Sequence, residues 1–175
     1  MNEFRNARAG RKTMRLAKRE IKDAAVLREI IEECDVVRIG VSDQDGMFIV
    51  PVNYGYEFAA DRDTIKLTLY IHGAKEGRKA EAFAATPSVA LEMDCRHELI
   101  TGGYTCSYSF AYRSIMGNGR IRCLDTEEEK RMGLVRIMEH LAPDAVIEFR
   151  PEMLAKTNVY RIDVTDFTGK ERRRK

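Results

Sequence analysis

The chain has 175 residues, 44% of them hydrophobic and 33% charged, with a formal net charge of +2. That length suits one domain with a sizeable core. The N-terminus has no apolar signal region and no run of about 18 apolar residues occurs, so a soluble, non-secreted, cytoplasmic protein is expected, with no membrane span.

Cysteines 34, 95, 106 and 123 are scattered without a C-x-x-C pair. This argues against a disulfide framework or a zinc finger and for reduced thiols. The charge is unevenly placed: residues 1–22 carry +6 and residues 170–175 carry +4, leaving the body between them at −8. The reading is a basic N-terminal arm (1–22), one folded domain (23–169) and a basic C-terminal tail (170–175). A nucleic-acid-binding domain usually carries its charge on the folded face, so nucleic acid is disfavoured as a partner.

In chain order, Arg5 to Lys22 lacks an apolar period and reads as an extended arm. Asp23 is an N-cap for a helix whose stripe is Val26, Leu27, Ile30 and Ile31, stopping near Cys34-Asp35. Val36 to Val41 is strand-like, and Ser42 to Gly46 reads as a hairpin turn. The Asp43/Asp45 pair does not extend to a calcium loop, because Phe48 and Tyr54 stand where such a loop needs Gly and Glu. Met47 to Glu57 reads as one strand with Pro51 in its middle, which places it at an edge, a bulge or an opening of the sheet. Asn53 there offers a donor and an acceptor. Thr64 to His72 is the next strand, with Ile65, Leu67, Leu69 and Ile71 at period 2. A helix follows, with Ala80, Phe83 and Ala84 on one face, and ends at Thr86-Pro87.

Ser88 to Cys95 reads as a strand, Arg96 to Cys106 as irregular, and Ser107 to Asn118 as a long strand. Gly117-Asn118-Gly119 marks a bend or bulge before Arg120 to Leu124. Thr126 to Glu129 is a capping box whose helix, with Met132, Val135, Met138 and Leu141 on one face, runs to about Leu141. Residues 151–156 suggest a helical turn, and Val159 to Phe167 is a closing strand with Tyr160, Ile162 and Val164 on one side. Only one of the predicted strand connections contains a full helix before an adjacent strand, so a doubly wound parallel sheet is not supported. Six or seven mainly antiparallel strands of this spacing read as a small barrel or sandwich with peripheral helices.

The chemistry concentrates at Leu69 to Lys79. Two glycines and three cations (Lys75, Arg78 and Lys79) lie between an apolar strand and a helix start, which suits an anion such as a phosphate; a basic turn with solvated charges is the plainer reading. The segment is not a Walker A loop, because three residues separate its glycines and no Ser or Thr follows the lysine. Gly117-x-Gly119 lacks the third glycine and the helix of a dinucleotide fingerprint. No nucleophile elbow occurs, and Cys95-Arg96-His97 lacks metal-ligand spacing.

Leu69-Tyr-Ile-His-Gly-Ala-Lys-Glu-Gly-Arg-Lys79, with Ile49-Val-Pro-Val-Asn-Tyr-Gly-Tyr56 upstream, resembles the FMN-binding split-barrel flavoproteins. It is most similar to the 5-nitroimidazole-resistance (Nim-like) branch of the pyridoxamine 5′-phosphate oxidase-like superfamily. The resemblance runs from Met14-Arg15, through Cys34-Asp35-Val36 and Tyr112 to Gly117, to Thr168-Gly169-Lys170. It implies a six-stranded antiparallel split β-barrel forming a homodimer, with FMN at the interface. It assigns Lys75, Arg78 and Lys79 to the FMN phosphate, and Ile71, His72, Gly73 and Ala74 to the ribityl chain and ring. Pro51, Val52, Asn53 and Tyr54 would offer backbone groups to the isoalloxazine, and Ser107, Arg113 and Ser114 would reach in from the other protomer. The expected activity is an FMN-dependent oxidoreductase, nitroreductase-like, passing electrons from NADH or NADPH to a small acceptor such as a nitroimidazole. The substrate residues of true pyridoxamine phosphate oxidases are missing. His72 is either a catalytic proton donor or, on the favoured reading, a cofactor-positioning hydrogen-bond group. A flavin- or haem-binding carrier or sensor without turnover is the rival.

Overall fold

The computed structural model describes residues 16–62 and 64–174. A 3-10 turn (Ala17–Arg19) leads into β1 (Glu20–Ile21), α1 (Ala24–Glu33), β2 (Val37–Asp43), β3 (Gly46–Val52), β4 (Gly55–Ala60) and β5 (Ile65–Ala74). Then come α2 (Arg78–Ala85), β6 (Ser88–Ile100), a second 3-10 turn (Thr105–Ser107), β7 (Ser109–Cys123), α3 (Glu127–Leu141), α4 (Pro151–Lys156) and β8 (Thr157–Arg172). The strands form one antiparallel sheet in the order β3-β2-β6-β7-β8-β5-β4, with β1 added on β8. The mainly-β class with peripheral helices is as expected. The strand count is eight among the described residues, not six.

β3 and β4 stand at opposite ends of that order, yet only Asn53 and Tyr54 separate them in the chain. Such a link spans at most about 11 Å. The sheet must therefore curl until its end strands meet at Val52–Gly55, with no ladder joining them among the described residues. The result is a barrel split along the β3–β4 seam. Its interior holds the main core, including Ile30, Ile31, Val37, Ile39, Leu69, Ile71, Ile115 and Ile162. A smaller cluster (Tyr70, Leu124, Ile137 and Val159) seats α3 against the outside of β5 and β8.

The helix signals hold. Asp23 Oδ1 accepts from the Ala25 N–H at 2.8 Å, and Thr126 with Glu129 forms the reciprocal capping box. The hairpin turn at Gln44-Asp45 is also as expected, with Asp43 Oδ1 accepting from the Asp45 N–H at 2.9 Å.

Five expectations are corrected. Met47 to Glu57 is two strands, because Tyr54 turns fully inward and donates its hydroxyl to the Ile31 carbonyl at 2.7 Å. β6 continues to Ile100, into the first half of the stretch expected to be irregular; a register slip between Cys95 and Glu98 is absorbed at Arg96, whose φ is 55°. β7 is one strand where two were expected, although the bulge expected at its glycines is present, against β8 between Asn118 and Gly119. The face that α3 buries is Gly133 and Ile137, leaving Met132 and Leu141 exposed, since Gly133 lets the helix approach Val159 and Tyr70 closely. On α2, Ala82 joins Ala80 and Phe83 inside while Ala84 faces out.

The inner residues of both basic ends pair in the sheet. Glu20 and Ile21 pair with Lys170 and Gly169, and β8 runs on to Arg172. The expected limits at 22 and 169 are therefore not edges of regular structure. The first 15 residues of the arm, Met14-Arg15 included, lie outside the described residues.

Candidate functional site

The end of β5 builds the site. Leu67, Leu69 and Ile71 are buried, while His72 and Ala74 are exposed. Gly77, at φ 103°, turns the chain into α2 and leaves the helix N-terminus with no side-chain cap. The helix then folds back over the strand, and Lys79 lays its ammonium on Gly73. A Cβ placed at Gly73 would stand 2.7 Å from Lys79 Nζ. The bare glycine lets the ammonium rest this close to the strand backbone, and a larger residue would displace the end of the Lys79 side chain. Neither Lys75 nor Lys79 is paired with a carboxylate among the described residues.

His72 keeps an exposed edge, yet its imidazole is held below the ordinary value, first by burial and then by the Lys79 charge. A cation over a glycine, beside helix N–H groups that no side chain caps, makes a cradle of the kind of donors that suit a phosphate-sized anion.

Four further residues frame this cradle, none of them visible from sequence. Gly73 pairs with Asn158 and Ile71 with Tyr160 on β8, and Cys123 on β7 pairs with Tyr160. Asn158 Nδ2 donates to the Tyr160 hydroxyl at 3.0 Å, and the Tyr160 ring meets Phe83 edge-on at 5.3 Å. The Cys123 thiol is pushed up by burial, against a pull from Lys130 and, more weakly, Lys75. Lys130 thus adds positive charge on the same side. These residues are distant in sequence and meet only through antiparallel register.

The stretch 51–54 reaches the same end of the barrel. The β4–β5 ladder ends at Gly55–Tyr70, one step short of setting Asn53-Tyr54 beside Ile71-His72. Pro51 faces Arg38 on edge strand β3, as its missing N–H requires. Asn53 Nδ2 donates to the Asp35 carbonyl at 2.9 Å. Tyr54 is otherwise engaged: its ring is core, and its carbonyl meets His140 Nδ1 at 2.8 Å. His140 also reaches the Glu32 carbonyl at 3.3 Å through Nε2, so it ties α3 to α1 across the pinched end of the barrel. No motif announced it.

The remaining expected residues lie elsewhere. Arg78 is turned to the β2–β3 hairpin, with Nε 2.6 Å from Asp43 Oδ2. Ser107 closes the second 3-10 turn, donating to the Tyr104 carbonyl at 2.6 Å. Arg113 is held by Glu29 at 2.7 Å and Glu171 at 3.3 Å, and Ser114 pairs with Asp94 and Lys170. Arg113 and Cys123 stand ten steps apart along β7, about 33 Å of extended strand. Within one chain, residues 107, 113 and 114 do not meet the cradle.

The family model described as pyridoxamine 5′-phosphate oxidase matches residues 23–171. No curated protein matches the chain. Among solved structures, a candidate 5-nitroimidazole antibiotic resistance protein from Bacteroides thetaiotaomicron is 30% identical, with a TM-score of 0.73 over 87% of this chain and 86% of that one. The flavocytochrome Anf3 from Azotobacter vinelandii is 18% identical, with a TM-score of 0.74 over 92% of this chain and 72% of that one. An FAD and haem binding protein from Mycobacterium smegmatis is 16% identical, with a TM-score of 0.73 over 87% and 73%. At that identity the last two speak for the fold alone.

Proposed function

The chain belongs to the pyridoxamine 5′-phosphate oxidase family, and from that premise we propose that it binds FMN and works as a flavin-dependent oxidoreductase on a small acceptor, a nitroaromatic compound being the leading class. The carrying observation is the cradle at Gly73, where the Lys79 ammonium lies over the end of β5 beside the uncapped N-terminus of α2. FMN fits this set because its terminal phosphate matches two unpaired lysines and the uncapped N-terminus of α2. When bound, the flavin supplies two-electron and one-electron redox chemistry.

The protein's own groups would do the rest. Lys75 and Lys79 hold the phosphate, and the free edge at Pro51–Asn53 faces the ring system across the seam. His72 lines the approach, where its depressed basicity keeps it largely neutral near pH 7 and able to donate or accept a hydrogen bond. Under this reading two copies of the chain form the working unit. Ser107, Arg113 and Ser114 then complete the partner's site from outside, because they are too distant to serve their own. NADH or NADPH is the proposed donor.

The test is a titration of the purified protein with FMN, followed by anaerobic addition of NADH or NADPH and then a nitroimidazole. The expected result is tight FMN uptake, bleaching of the flavin band by the nicotinamide and its return with the acceptor. A protein that refuses FMN overturns the reading; one that takes FMN but never bleaches is a carrier. Lys79→Ala should weaken FMN by about tenfold or more, the scale of a lost charge-assisted contact. His72→Ala should cost far less.

A further inference from the structure

The resemblance gives Arg78 and Lys79 one task, but the structure sends them apart. Neighbouring residues on a helix project about 100° from each other. Lys79 lies over Gly73, whereas the Arg78 guanidinium meets Asp43 in a two-pronged contact, Nε to Oδ2 at 2.6 Å and Nη2 to Oδ1 at 3.0 Å. Its central carbon also sits 4.1 Å from the centre of the Phe48 ring. Asp43 ends β2 and Phe48 lies on β3, so one side chain grips both strands of the hairpin.

The electrostatics divide in the same way. On the Arg78 side, the cleft between hairpin and α2 is lined by Asp43, Asp45 and Glu81. A phosphate dianion there would face three carboxylates. Towards Cys123 the lysines Lys130 and Lys75 act together with a single carboxylate, Asp125. Arg78 in turn holds the Asp43 carboxyl below its usual range, as an engaged partner does.

We propose that Arg78 is a positioning residue: through Asp43 and Phe48 it clamps the β2–β3 hairpin to the start of α2, and leaves the cofactor phosphate to Lys75 and Lys79. The clamp matters because β3 continues from Phe48 to the Pro51–Asn53 edge, about 10 Å further along the strand. It therefore fixes the wall facing the ring system relative to the cradle holding the phosphate. This rests on the flavin reading above.

The experiment compares wild type, Arg78→Ala, Asp43→Asn and Lys79→Ala with two ligands, FMN and riboflavin, which differ only by the phosphate. Lys79→Ala should collapse the preference for FMN over riboflavin by about tenfold. Arg78→Ala and Asp43→Asn should weaken both ligands by one common factor, keep the preference, and shift the visible band of the bound flavin at saturation. A residue that merely supports global stability would not move that band. The double variant should be no worse than either single one, as expected for two ends of one contact. A collapse of the FMN preference in Arg78→Ala, matching Lys79→Ala, overturns the proposal, and Asp43→Asn carries the same test should Arg78→Ala not fold. If wild type binds neither flavin, the flavin reading itself fails. Amide exchange of residues 47–50 and 52 in the free protein then decides the clamp: faster exchange in Arg78→Ala supports it, and unchanged exchange overturns it.

Discussion

At His72 and Lys79, a charge and an imidazole share the end of one strand. Burial lowers the His72 pKa first and Lys79 lowers it further. Removing the lysine charge should therefore raise it only part of the way back towards 6.5, the ordinary value. An NMR titration of the His72 ring in Lys79→Ala checks this, and a pKa unchanged from wild type would refute the coupling. The sign for stability follows from linkage. A base with a depressed folded pKa contributes stability that is complete above about 6.5 and is lost as pH falls through the lower folded value. The cations were legible in the sequence because they lie within five residues of one another. Asn158, Tyr160, Lys130 and His140 were not, since β8 and α3 bring them in from far along the chain.

The elements show where local signals suffice. Caps and turns are written in a few adjacent residues, so α1, α3 and the Gln44-Asp45 hairpin were readable. Strand limits were less so, because a strand ends where its neighbour ends. β8 is the clearest instance, carried past the expected limit by β1 and β7. Lys170 pairs with Glu20 and Ser114, Glu171 with Arg113, and Arg172 with Tyr112. Ending the chain after Gly169 should thus cost about 1–3 kcal/mol, as several ladder bonds and the Glu171 contact to Arg113 disappear. Ending it after Arg172 should cost within about 0.5 kcal/mol, because exposed pairs such as Arg173–Glu171 contribute little. Urea denaturation of the two truncations separates them; equal stabilities would make residues 170–172 a true tail.

The whole molecule carries the proposal of a shared cofactor. If two copies complete each other's sites, FMN and protein concentration must both raise the melting temperature. FMN at a hundred times its Kd should add about 2.7 kcal/mol, or roughly 5–10 °C for a chain of this size. A melting temperature independent of protein concentration over a hundredfold range would argue for a monomer. The fold class was legible because strand spacing and the lack of crossover helices left few alternatives. The strand order was not, since β2 with β6 and β5 with β8 join segments far apart in the chain.

In most barrels a continuous ring of hydrogen bonds sets the girth. Here the two end strands are held together by a tether, Asn53-Tyr54, whose reach is fixed by covalent geometry. Tyr54 anchors that tether inward through its hydroxyl, and His140 grips its carbonyl from outside. The seam is thus pinned at one point and unladdered beyond it, like a clasp closed at one end. Its width beside Pro51–Asn53 is therefore governed by the number of residues in the link, and lengthening that link by one residue would widen the opening without breaking a single ladder bond.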